Sequence, residues 1–193
     1  MYKLLVMGLS AGGIPLIKQV LVALPRHYSL AVVIVAHLPQ NCESFLAQIL
    51  NKISLLPVTT AKDKEIIMPA HVYVAPPDYH LLIEQNRHLS LSSFALSEDE
   101  PVKSVRPSID VLFTSAAEVF ENSLIAVILS GANSDGADGM AYIKKLGGLC
   151  MVLNPEETEF NIMPNAAIAR VNVDYIASIE DIISLLVSVD ECV

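Results

Sequence analysis

Short apolar runs rich in Val, Ile and Leu recur along this chain, with stretches of helical periodicity between most of them. That alternation constrains the fold more than any other feature. Strand–helix–strand units close most simply as a parallel sheet with helices on its faces. The runs predict strands over residues 3–7, 31–36, 58–60, 125–129, 150–153 and 175–177. Ile14, Ile17, Val20, Leu21 and Leu24 fall at helical spacing. So do Phe45, Ile49 and Leu50, and then Val111, Leu112, Ser115, Ala116 and Val119; a last helix is predicted over 179–187. Hydrophobic residues make up 53% of the chain, yet a run such as 30–36 is far shorter than the ~18 apolar residues a membrane span needs. High apolar content in short runs is the pattern of strands buried on both faces. The expected fold class is therefore α/β, a doubly wound, mostly parallel sheet flanked by helices, in one domain over residues 1–193. Residues 71–92 read differently. HVYVA, HLLI and HLSL are short runs with turn residues between them, which predicts a small antiparallel hairpin region. The polar, acidic stretch 97–103 is expected to be an exposed loop.

Charge and cysteines narrow the function classes. The net charge of −9 opposes a nucleic-acid partner, since binding phosphates takes clustered Lys and Arg. The N-terminal MYKLLVMGLS has one lysine, a very short apolar stretch and no clear cleavage site, so neither a signal peptide nor membrane insertion is expected. Cys42, Cys150 and Cys192 are odd in number and show no metal-ligand spacing. They fit incidental thiols in a reducing, cytoplasmic compartment.

In an open parallel sheet, sites form beyond the carboxyl ends of the strands. The first strand is followed by Gly8-Leu9-Ser10-Ala11-Gly12-Gly13, a G-x-S-x-G pattern. A serine on a tight strand-to-helix turn projects its hydroxyl, and the helix N-terminus behind it offers free N–H groups to an oxyanion. The same pattern also suits a plain glycine-rich turn. The second strand is followed by His37, where a dinucleotide-binding fold would need an acidic residue. The strand at 125–129 is followed by a glycine-rich loop carrying Asp135 and Asp138. Asp135, nearer the strand, is the candidate to orient an imidazole. Asp138 is expected in the first helical turn, acting on the helix dipole. Three strand ends thus carry Ser10, His37 and Asp135, in an order unlike the Ser, Asp, His of α/β-hydrolases. The other histidines, His27, His71, His80 and His88, are read as structural or surface residues.

Several stretches together carry a resemblance: GLSAGG at 8–13, AHLP at 36–39, PAHVYVAPPDYHL at 69–81, RPSIDVLFTSAA at 106–117 and LSGANSDGADGM at 129–140, with NPEE and MPNAAI near 154–168. The chain resembles the catalytic domain of the chemotaxis receptor protein-glutamate methylesterases, the CheB type. That resemblance implies a serine hydrolase that demethylates glutamate methyl esters of chemoreceptors, with glutamine deamidation as a second reaction. It places the catalytic triad on Ser10, His37 and Asp135. The Ala11 N–H, next after the serine, is the candidate oxyanion donor, with Ala132 in the 131–133 loop as a further oxyanion or substrate-binding position. The resemblance calls for no metal and no cofactor. The implied partners are methylated chemoreceptor cytoplasmic helices. The family's receiver domain is not expected here, because the first strand starts at Lys3, which leaves a separate receiver or regulatory protein as an alternative partner. Ala11 stands where the family tends to have Thr, and Ala132 replaces a bulkier side chain. Two other readings stay open: a same-fold serine esterase acting outside chemotaxis, and a non-catalytic regulatory binding module.

Overall fold

A computed structural model describes residues 2–37, 45–86 and 91–191. Its centre is strand β1 (Leu4–Leu9), every residue of which is buried. Parallel strands β2 (Ala31–Ala36) and β7 (Leu124–Ile128) pair with it on either side. Beyond β2 lie β4 (Val72–Val74) and β3 (Val58–Thr60); beyond β7 lie β8 (Leu149–Leu153) and β9 (Tyr175–Ala177). The seven-stranded order β3-β4-β2-β1-β7-β8-β9 is parallel throughout. The chain first builds outward on the β2 side, then returns to β7 and builds the other way, so the winding reverses between β1 and β7.

Strand side chains alternate between two cores, as the two-residue period of a strand requires. Leu5, Met7, Leu9, Val32, Ile34 and Val127 face α1 (Gly13–Ala23), α2 (Leu46–Asn51) and α6 (Ile179–Glu191). Leu4, Val6, Val33, Val35, Ala126 and Ile128 face α3 (Ile109–Phe120), α4 (Ala137–Lys145) and α5 (Ile162–Arg170). Strands covered on both faces explain the continuous apolar runs. Among the described residues, no helix is long and apolar enough to cross a membrane.

The hairpin is present, though shifted. Strands β5 (His80–Asn86) and β6 (Leu91–Ser97) form a two-stranded antiparallel sheet. The first of the three runs, HVYVA, instead supplies β4 of the parallel sheet, because Val72, Tyr73 and Val74 are all buried and pair with both β2 and β3. The helix at Phe45, Ile49 and Leu50 forms, but Phe45 and Ile49 are exposed and the buried face is Leu46, Ala47 and Leu50. The predicted ends of β1, β7, β8 and α6 each differ from the observed ones by one to four residues, and strands 31–36, 58–60 and 175–177 form as expected. Residues 98–101 are exposed. Cys42, Cys192 and His88 lie outside the described residues. Cys150 is a buried free thiol, pushed up to about 12 by burial, and so is inert.

Gly8 marks where the sheet meets α3. A Cβ there would sit 2.6 Å from Cγ2 of Ile109, the first residue of that helix. Gly8→Ala should therefore push α3 off the sheet. The expected cost is about 1–3 kcal/mol of stability, read as a lower thermal midpoint than wild type; an unchanged midpoint would mean that α3 yields freely at this contact.

Candidate active site

The carboxyl ends of the three central strands share one rim, and backbone hydrogen bonds tie them together. The Ser10 N–H donates to Ser130 O at 2.7 Å, the His37 N–H to Leu9 O at 3.0 Å and the Leu129 N–H to Gly8 O at 3.0 Å. Ser10 therefore stands between the chain that leaves β2 and the chain that leaves β7. Gly12, just after it, has φ of 74°, and a Cβ at that position would lie 2.9 Å from both the Phe160 ring and Ser130 Oγ. A left-handed backbone and no room for a side chain together call for glycine.

His37 and Asp135 meet directly. His37 Nε2 lies 2.9 Å from Asp135 Oδ2, with the imidazole mostly covered and the carboxylate fully buried. Asp135 also accepts from Ser108 Oγ at 2.8 Å, from the Ile109 N–H at 2.6 Å and from the Asp110 N–H at 3.1 Å. These donors are the cap and first turn of α3, whose positive dipole end faces the charge. Burial by itself would push the Asp135 carboxyl up. The bonds from His37 and the Ile109 N–H, the imidazole's charge and the Ser108 hydroxyl outweigh it and hold the carboxyl below the ordinary range.

With Nε2–H committed to Asp135, the ring presents Nδ1. Asn133 Nδ2 lies 3.4 Å from that nitrogen, and Asn133 Oδ1 accepts from the Asp135 N–H at 3.2 Å. An amide donor facing Nδ1 matches a lone pair there, the tautomer a general base requires. The Ser10 hydroxyl makes no hydrogen bond to another described residue. In ligand-free sites such bonds are often long and tighten when substrate binds. Ala11 lies half-exposed in the turn before α1, and Ala132 is exposed in the loop after β7. The Gly131 N–H beside Ala132 is already committed to Phe160 O at 2.9 Å.

Asp138 is in the first turn of α4, as expected, but its role is broader than the dipole. Its carboxylate accepts from Arg170 Nε at 2.6 Å and Lys103 Nζ at 2.9 Å, which hold it below the usual carboxylate range. Lys103 Nζ also reaches Asp110 Oδ2 at 2.7 Å and Ser134 O at 3.1 Å. His80 is buried, accepting the Ser108 N–H at Nδ1 and meeting Glu100 O through Nε2, so it supports α3 structurally. His71 stacks on Tyr73 and contacts Thr59 Oγ1. Sequence reasoning missed Ser108, Lys103, Asn133 and Ser130. Only Ser108 left a legible signal, a serine directly before a helical run, the N-cap pattern.

The profile of the CheB methylesterase family matches residues 5–186. The chain belongs to this family. It is 44% identical over 190 residues to a protein of Leptospira interrogans provisionally named a protein-glutamate methylesterase/protein-glutamine glutaminase, covering 98% of this chain and 96% of that one. A Halalkalibacterium halodurans protein of the same name is 37% identical over 179 residues, which span 92% of this chain and 51% of that protein. The crystal structure of the Thermotoga maritima CheB methylesterase catalytic domain superposes with a TM-score of 0.93 at 31% identity, over 98% of this chain and 99% of that one. The seven-stranded parallel sheet with its antiparallel hairpin is thus a CheB catalytic-domain fold.

The lowered Asp135 carboxyl makes a stability prediction. An acid whose folded pKa lies below its unfolded value stabilises the fold above the unfolded value, ~3.9, and loses that contribution as pH falls through the folded one. Asp135→Asn should therefore be less stable than wild type at about pH 6, with the gap narrowing below about pH 4. Urea midpoints across that range measure it; a gap that widens in acid would contradict the sign.

Proposed function

We propose that residues 1–193 form one catalytic domain, working in the cytoplasm, that hydrolyses glutamate methyl esters on the cytoplasmic helices of chemoreceptors, with deamidation of glutamine as a second reaction. The observation that carries this reading is the buried Asp135 holding His37 through Nε2 at 2.9 Å, one strand away from Ser10 on the same rim. The names of the relatives support the substrate class.

In this reading Ser10 Oγ attacks the ester carbonyl while His37 Nδ1 takes its proton. The negative charge that develops on the carbonyl oxygen is met by the Ala11 N–H and by the loop at Ala132. Asp135 stabilises the imidazolium, which then protonates the departing methoxide, releasing methanol and leaving an acyl-enzyme on Ser10. Water, deprotonated by the same imidazole, cleaves that ester and restores Ser10 and a free glutamate side chain. No step uses a metal or an organic cofactor.

Methanol released from methylated receptor is the direct measurement. Ser10→Ala should lower the rate by on the order of 10⁶ while the fold persists. Turnover of a small methyl ester without turnover of receptor would point to a same-fold esterase with another substrate, and absence of both to a binding module. The two aspartates should separate in the same assay. Asp135→Asn is expected to cost roughly 10⁴ in rate by favouring the wrong imidazole tautomer. Asp138→Asn, which breaks exposed ion pairs, should cost little activity and about 1 kcal/mol or less of stability. An inactive Asp138→Asn beside an active Asp135→Asn would reassign the third residue.

A further inference from the structure

Ser130 contacts both sides of the Ser10 turn and has no part in the chemistry described above. It is fully buried. Its carbonyl accepts the Ser10 N–H at 2.7 Å, and its hydroxyl donates to Ala11 O at 2.7 Å. A second hydroxyl, Thr158 Oγ1, lies 2.7 Å from Ser130 Oγ and accepts the Phe160 N–H at 3.1 Å. Ser130 has one proton to give, and Ala11 O is nearer than Phe160 O at 3.2 Å. The Thr158 hydroxyl therefore donates to Ser130, and the bonds run in one direction: Phe160 N–H to Thr158, Thr158 to Ser130, Ser130 to Ala11 O. Successive bonds of one sense polarise and strengthen one another.

Three consecutive peptide planes are fixed in this way. Ser130 O holds the Leu9–Ser10 plane. The Gly13 N–H, donating to Ser10 O at 3.0 Å, holds the Ser10–Ala11 plane. The Ser130 hydroxyl holds the Ala11–Gly12 plane. In a trans peptide the N–H points opposite to the carbonyl, so these bonds also set the directions of the Ala11 and Gly12 N–H groups. Neither of those groups donates to another described residue.

We propose that Ser130 and Thr158 are positioning residues for ester hydrolysis, a two-hydroxyl relay that aims the turn after the nucleophile so that its N–H groups meet the developing oxyanion. The inference rests on the hydrolase reading above. Donors that are already oriented need no reorganisation when charge develops, and that is where such groups do most for the rate. The relay therefore acts on the transition state more than on substrate binding.

The test uses the full chain, a small methyl ester and a fluorophosphonate. The fluorophosphonate reports the same turn: Ser10 Oγ forms a bond to phosphorus, fluoride leaves, and the serine proton passes through His37 to solvent. Thr158→Val removes the hydroxyl at nearly constant volume and should lower kcat about tenfold with KM little changed; Ser130→Ala should lower it about 10²-fold. Phosphonylation should slow in parallel. Thr158→Ser should restore the rate, and the double variant should be no slower than Ser130→Ala alone, because the two residues act through one chain of bonds. If Ser130→Ala does not fold, the Thr158 pair decides. A Thr158→Val enzyme with wild-type kcat, or a loss confined to KM, overturns the relay alone. A wild-type chain inert to both reagents overturns the hydrolase reading and the relay with it.

Discussion

The structure is organised around one buried charge. A carboxylate in a dry interior costs several kcal/mol unless the protein itself solvates it. Asp135 has no exposed surface, and four donors converge on it: His37, Ser108, and the backbone of Ile109 and Asp110. Satisfying it fixes the first turn of α3 against the loop after β7. It also explains why side chains are excluded nearby. Cβ atoms at Gly8 and at Gly136, the latter with φ of 94°, would both strike Ile109. The orientation of His37 follows, since the imidazole supplies one of the four donors.

The sheet's winding puts that charge where it can act. At the boundary between β1 and β7 the connections leaving the two neighbouring strands run to opposite sides of the sheet, so they splay apart and leave the rim open. The chain leaves β1, β2 and β7 at this rim, and the spacing of Ser10, His37 and Leu129 comes from main-chain bonds that continue the parallel ladder. Main-chain placement is stiffer than any contact between long side chains, which suits a site where reacting groups must hold position to within fractions of an ångström.

Behind the rim, a second set of charges keeps two acids apart. Asp110 shares the start of α3 with Asp135, and burial together with that neighbouring charge pushes its carboxyl up, against Lys103 and the Gly139 N–H. Lys103 compensates by reaching Asp110, Asp138 and Ser134 O at once. Burial would draw the Lys103 ammonium down, but the two carboxylates more than offset it and its pKa is raised. Arg170 adds a second cation on Asp138. In a chain with a net charge of −9, these two cations sit where the carboxylates of Asp110 and Asp138 lie close together.

Alternating apolar runs and helical spacing determined the parallel α/β architecture by themselves, because burial on both faces leaves an unmistakable local pattern. The same local logic singled out Ser10 and His37, each directly after a strand, and Asp135, in the loop that follows β7. It failed where the deciding partner was remote. HVYVA looks like a hairpin strand in isolation, yet its buried residues pair with β2 and β3. Phe45 and Ile49 have core-like spacing, but a six-residue helix buries only the face that reaches the sheet. Ser130, Asn133 and Lys103 carry no motif; each matters through a hydrogen bond to a residue brought near by the sheet's topology. Sequence periodicity records which face is buried, and so it specified most of the elements to within a few residues. Hydrogen-bond direction depends on atoms far apart in the chain, and so only the tertiary structure decided which imidazole nitrogen meets Asp135 and how the turn after Ser10 is aimed.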